Sequence, residues 1–316
     1  MMLRRLWPAV LPLVLLAAVA CGSDDTNGAA EAGDGPVRVA TSISVFSDMI
    51  RQVGGDRVSV LSLIPPGADA HTYQPGPQDV KKLGDVRAIF INGAGLEESL
   101  MGVLENNTPD NAPLVELSSG LQPITFEAEA VGAETSDDDH AEEEHEGANP
   151  HFWLDVQNAK RYVERIRDTL GEVDPEGGAT YTANADRYLK ELDDTDAYIK
   201  SQIETVPPDQ RKLVTFHDAF PYFAQAYGLD LAGFVVRAPG REPSAREIKD
   251  LGDTIREQQV KTVFKEPQLS ATVLERAAAD AGVQVDVLYS DALTKEIPTY
   301  VAMMRRNADT VAAGLK

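Results

Sequence analysis

The chain holds five histidines, and three of them stand where side chains could converge on a cation: His71 in GADAHTYQP, His151 in NPHFWLD and His217 in VTFHDAF. Each lies beside small or turn-forming residues at a predicted strand end or loop. A carboxylate follows two of them, Asp155 after His151 and Asp218 directly after His217. Neutral imidazole suits a borderline-soft ion such as zinc, so the pattern points to coordination chemistry. A lone loop histidine is most often a hydrogen-bonded surface group; the coincidence of three with carboxylates at other strand exits carries the weight. Those carboxylates are Asp291, after VQVDVLYS, and Glu266, after KTVFK. A zinc-dependent hydrolase is the rival from a different class, with zinc activating water, but no HExxH helix or other hydrolase motif accompanies the histidines.

The elements that must position these residues are legible as alternating patterns. From Val37 onward, VRVATSI, VSVLSLIPPG and AIFING alternate with the helical VFSDMIRQVGG and PQDVKKLGD. After Pro208, KLVTF, LAGFVV, KTVFK and VQVDVLY alternate with helices predicted over 219–227, 244–258 and 271–281. Such alternation predicts parallel sheets covered by helices. Between the halves, residues 179–205 lack glycine and proline and place Tyr181, Ala185, Tyr188, Leu192, Thr195, Ile199 and Ile203 at steps of three and four. That stripe predicts one helix of about 40 Å, long enough to run from one lobe to the other. The fold class is therefore α/β, with two lobes, each a parallel-rich sheet covered by helices, joined by one long linking helix. The boundaries are an N-terminal lobe over 37–178, the linking helix over 179–206 and a C-terminal lobe over 207–316. Ligands of open parallel sheets bind outside the carboxyl ends of strands, where His71, His217, Glu266 and Asp291 fall.

The opening residues 1–20 read as an export signal: basic at Arg4 and Arg5, then apolar, then small before Cys21. AVAC followed by Gly22 resembles a bacterial lipobox, so Cys21, the only cysteine, is the expected lipidation site. Residues 21–36, small, polar and acidic, are expected to be a flexible tether. A stretch over 124–148 has ten carboxylates, no lysine or arginine, and the pair His140 and His145. It is expected to be a solvated loop, with weak accessory metal capture as the alternative. A net charge of -22 argues against nucleic acid as a partner.

Seven segments in order, VATSISVFSDMIRQVGGDRVSV, IPPGADAHTYQPGPQDVKKL, INGAGLEESL, NPHFWLDVQNAKRYVERI, TFHDAFPYFAQAYGL, EPSAREIKDL and VFKEPQLS, resemble the metal-binding receptors of ATP-driven transporters, the solute-binding lipoproteins for zinc and manganese. The resemblance covers nearly all of the chain after the signal. It implies a cleft site between the lobes with His71, His151, His217 and Asp291 as metal ligands. From the residues themselves, Glu266 reads as an acceptor behind the ligands or a lobe contact, and Asp218 as a supporting partner or, equally, a solvent-facing or helix-capping group. Manganese-type members usually carry glutamate where this chain has His217, whereas zinc-type members carry histidine. Zn(II) is thus the implied transported ion, with Mn(II) as the alternative within the same family. Ala292 stands where proline is common and Ala70 where some zinc receptors are acidic, so the fourth ligand is open between Asp291, Glu266 and a water. The implied partners are a membrane permease and its ATPase subunit. A monomer, lipid-anchored to the outer face of the bacterial cell membrane, is expected, with no bond chemistry of its own and any adhesin role secondary. Because imidazole must be neutral to ligate, affinity is expected to fall as pH drops through roughly 6 to 5.

Overall fold

A computed structural model describes residues 35–125, 147–236, 239–240 and 243–316. The β-branched runs of the first half become four parallel strands, β1 (Val37–Thr41), β2 (Val58–Ser62), β3 (Ala88–Ile91) and β4 (Leu114–Glu116), in the order β2-β1-β3-β4. Their helices are α1 (Ser44–Gly54), α2 (Pro77–Lys81) and α3 (Glu98–Asn107). Next come α4 (Val156–Val173) and the long α5 (Gly178–Glu204). The second half repeats the winding with β5 (Lys212–His217), β6 (Asp230–Val236), β7 (Thr262–Lys265) and β8 (Gln284–Val287), in the order β6-β5-β7-β8, again all parallel. Its helices are α6 (Pro221–Tyr227), α7 (Ala245–Glu257), α8 (Thr272–Ala281) and α9 (Tyr300–Gly314). In each sheet the chain steps first to one side and then crosses to the other, so the carboxyl ends of β1 and β3, and of β5 and β7, flank a reversal point that suits ligands.

Local chemistry sets the ends of these helices. Asp155 caps α4 by accepting from Gln157 N at 2.8 Å, which makes it a capping residue. Ser244 and Glu247 bond reciprocally at the start of α7, a capping box. Gly228 and Gly282 stop α6 and α8 in the left-handed region at φ 70°. Helix α5 buries all seven residues of its predicted stripe and adds one unforeseen member, Asp196. That carboxylate accepts from Tyr227 OH of α6, Gln157 Nε2 of α4 and Lys200 Nζ. Buried as it is, Asp196 is tolerated because three donors satisfy it.

Helices α1, α4 and α9 pack along α5, so elements from both halves share the main core. Strand β5 alternates faces: Leu213 enters that core, while Val214 and Phe216 enter a second one built with Leu251 and Ile255 of α7 and Leu274 of α8. By the same period His217, at the end of β5, projects on the Leu213 side.

Candidate metal centre

Four side chains meet at the carboxyl ends of the strands. His71 lies in the loop after β2, where Asp69 Oδ1 accepts its backbone N–H at 2.9 Å. His151 precedes the 3-10 turn Phe152–Leu154. His217 is the last residue of β5, and Asp291 lies shortly after the end of β8. One ligand atom from each of the four lies within 4.8 Å of the others. The rings of His71 and His151 are 5.3 Å apart between centroids, those of His151 and His217 4.9 Å. Nε2 of His151 stands 3.1 Å from Nε2 of His217 and 3.5 Å from Asp291 Oδ1. His71 Nε2 and both Asp291 oxygens are buried without a hydrogen-bond partner. Orphaned buried acceptors facing one another are costly unless something positive sits among them, and the arrangement could hold a divalent cation.

The expected supporting residues divide. Glu266, at the exit of β7, lies with Oε1 2.7 Å from His217 Nδ1 and accepts from Ser290 Oγ at 2.8 Å. The Nδ1 contact is close but poorly aligned for a hydrogen bond, so it acts chiefly through charge. Asp218 is buried and reaches the cluster through its backbone, its N–H donating to Val236 O and its carbonyl accepting from Asn149. His140, His145 and Cys21 lie outside the described residues.

Burial and charge give the three imidazoles unlike protonation. Burial, aided by the charge of His217, depresses His71 to about 3, and burial, aided by His217 and His71, holds His151 well below its ordinary value. Burial opposes protonation of His217 too, but Glu266, with help from Asp291 and Asp218, outweighs it and raises this ring to about 9. Burial lifts Asp291 to about 7 despite the opposing pull of His217. Without metal, His217 is therefore the imidazolium, able to donate Nε2–H to the His151 nitrogen. The proton competing for the site is thus held far more tightly than free imidazole would hold it, and the expected loss of affinity moves up from roughly pH 6 to 5.

Several contacts fix this geometry, and among their residues Asn307 and Asn92 were not foreseen. Trp153 Nε1 donates to Ser290 O at 2.9 Å, and Asn307 of α9 clamps Tyr289 from both sides, accepting its N–H at 2.9 Å and donating to its carbonyl at 2.7 Å. These bonds hold the two residues that lead into Asp291. Asn92, at the end of β3, donates to Pro150 O at 2.8 Å and so fixes the approach to His151.

Two parallel-sheet lobes on one long helix, with three imidazoles and a carboxylate brought together from both halves, define a metal-binding receptor of ABC importers. Residues 39–314 match the family model "Zinc-uptake complex component A periplasmic", ZnuA, and the chain belongs to that family of solute-binding proteins, which are not enzymes. The manganese-binding lipoprotein MntA of Halalkalibacterium halodurans is 34% identical over 310 residues, covering 97% of each chain. The iron-binding protein YfeA of Yersinia pestis is 30% identical over 282 residues, 88% of this chain and 86% of its own. Among solved structures, the Mn-bound periplasmic metal-binding protein of Candidatus Liberibacter asiaticus aligns with a TM-score of 0.75 at 27% identity, covering 89% of this chain and all of its own. Among the described residues no helix is long and apolar enough to cross a membrane.

Proposed function

We propose that this receptor captures Zn(II) outside the cytoplasm through His71, His151, His217 and Asp291 and delivers it to a membrane permease powered by an ATPase. The observation that carries the reading is the donor set: three nitrogens and one carboxylate oxygen, the composition that a tetrahedral zinc ion favours over an oxygen-preferring ion. Glu266 backs His217 and raises its basicity, and Asp218 lends its carbonyl to the same region. Cys21 anchors the chain by lipid to the outer face of the cell membrane, and His140 and His145 form a weak accessory capture loop. The lobes are the segments 37–178 and 207–316, joined by the helix 179–206, and the receptor acts as a monomer.

Mn(II) is the second reading, favoured by the name of the 34% identical relative and by the carboxylate among the ligands. Competitive titration of metal-stripped protein with both ions, beside the His217→Glu variant, separates the two. Zinc is expected to bind tightly at one equivalent and to weaken in the variant, with manganese gaining relative ground. A preference for manganese in the unmodified protein would sink the zinc reading.

A further inference from the structure

Asn149, two residues before His151, is 1% exposed, and every polar group it owns is engaged. Its N–H donates to Ile124 O at 2.8 Å and its carbonyl accepts from Tyr222 OH at 2.8 Å. Oδ1 accepts the His151 backbone N–H at 3.1 Å and stands 2.9 Å from His151 Nδ1. Nδ2 donates to Asp218 O at 2.7 Å, beside His217. The two ends of an amide look alike, so its orientation has to come from partners whose roles are fixed. Here there are two. The His151 N–H can only donate and the Asp218 carbonyl can only accept. Turning the amide over would set NH2 against N–H and oxygen against oxygen. Oδ1 therefore faces His151, and a ring nitrogen 2.9 Å from an acceptor must carry hydrogen.

We infer that Asn149 is a positioning residue that locks His151 in the tautomer with hydrogen on Nδ1, so that the Nε2 lone pair faces the cation, and that it joins this choice to the contact between the two halves through Asp218. The inference rests on His151 being a metal ligand. Histidine ligands generally need their far nitrogen held by an acceptor, and losing such a partner typically costs 10–100-fold in metal affinity. Glu266 faces the far nitrogen of His217 with an anion; Asn149 serves His151 with a neutral group that has a donor to spare.

The tautomer is directly readable in metal-stripped protein labelled with 15N-histidine, by two-bond nitrogen–proton correlation spectra. Unmodified protein should show His151 protonated on Nδ1. Asn149→Ala should weaken both zinc and manganese about 10–100-fold and, combined with His217→Ala to remove the Nε2–H that also faces His151 Nε2, should mix the tautomers. Asn149→Asp, which keeps the acceptor but loses the donor to Asp218 O, should keep the tautomer. Hydrogen on Nε2 in the unmodified protein, or a tautomer in the His217→Ala background unmoved by Asn149→Ala, overturns the inference. Failure of the receptor reading looks different: unmodified protein would bind neither ion tightly, while the spectra would still report the tautomer.

Discussion

At the scale of the residue, the metal-free site already holds a cation, the proton on His217. Its folded value of about 9 means that capture at neutral pH must expel that proton. Zinc affinity should therefore rise about tenfold per pH unit between about 7 and 9, flattening above. Below about 7, where Asp291 also takes up a proton, the fall should steepen. Calorimetry in buffers of differing ionisation enthalpy should count about one proton released per zinc at pH 8; none released would contradict the assignment of charge to His217. His71, His217, Asp291 and Glu266 were readable in the chain because strand exits are where ligands gather, and His151 because it opens the segment after the acidic stretch beside turn-forming residues. Asn149 and Asn307 were not, since each acts on backbone atoms of a distant segment. Only Asn149 left a local signal, an amide two residues ahead of the histidine it orients.

At the scale of the element, the position of Asp291 depends on α9. No well-aligned hydrogen bond from another element holds that carboxylate, so its place depends on the clamps on Tyr289 and Ser290. Asn307→Leu would leave the Tyr289 N–H and carbonyl without their buried partner, at a cost of about 2 kcal/mol or more. Chemical denaturation should register that loss, and zinc affinity should fall with it even where the variant remains folded. If affinity is unchanged, α9 does not position the ligand. The long helix was legible almost to its ends, because a 27-residue stripe without glycine or proline admits no other structure. Strand β4, three residues long, gave too short a pattern to read. Asp196 was missed for a related reason, since a charged residue on the buried face makes sense only when Tyr227 and Gln157 are known to reach it.

At the scale of the whole molecule, the halves are fastened at many points besides α5. Leu293 N donates to Ser44 Oγ and Tyr300 N to Asp48 Oδ2, each at 2.8 Å, and Tyr300 OH donates to Trp153 O at 2.6 Å. These bonds tie the segment after Asp291 to α1 and to the turn after His151. A wide hinge motion would break them together. The radius of gyration from small-angle scattering should accordingly differ little between stripped and zinc-loaded protein, and a large expansion on stripping would refute this picture. The two-lobed plan was foreseeable from the repeated alternation of strand and helix, but the fastening was not, because it joins residues about 250 positions apart.

Glu266 against His217 and Asp291 against His151, with Asp218 beside them, concentrate negative charge in an interior where each of the four paired residues is at most 2% exposed. A divalent ion offsets most of that excess, whereas a monovalent ion would leave more negative charge buried away from water. Before any question of zinc against manganese arises, the pocket already favours the more highly charged cargo.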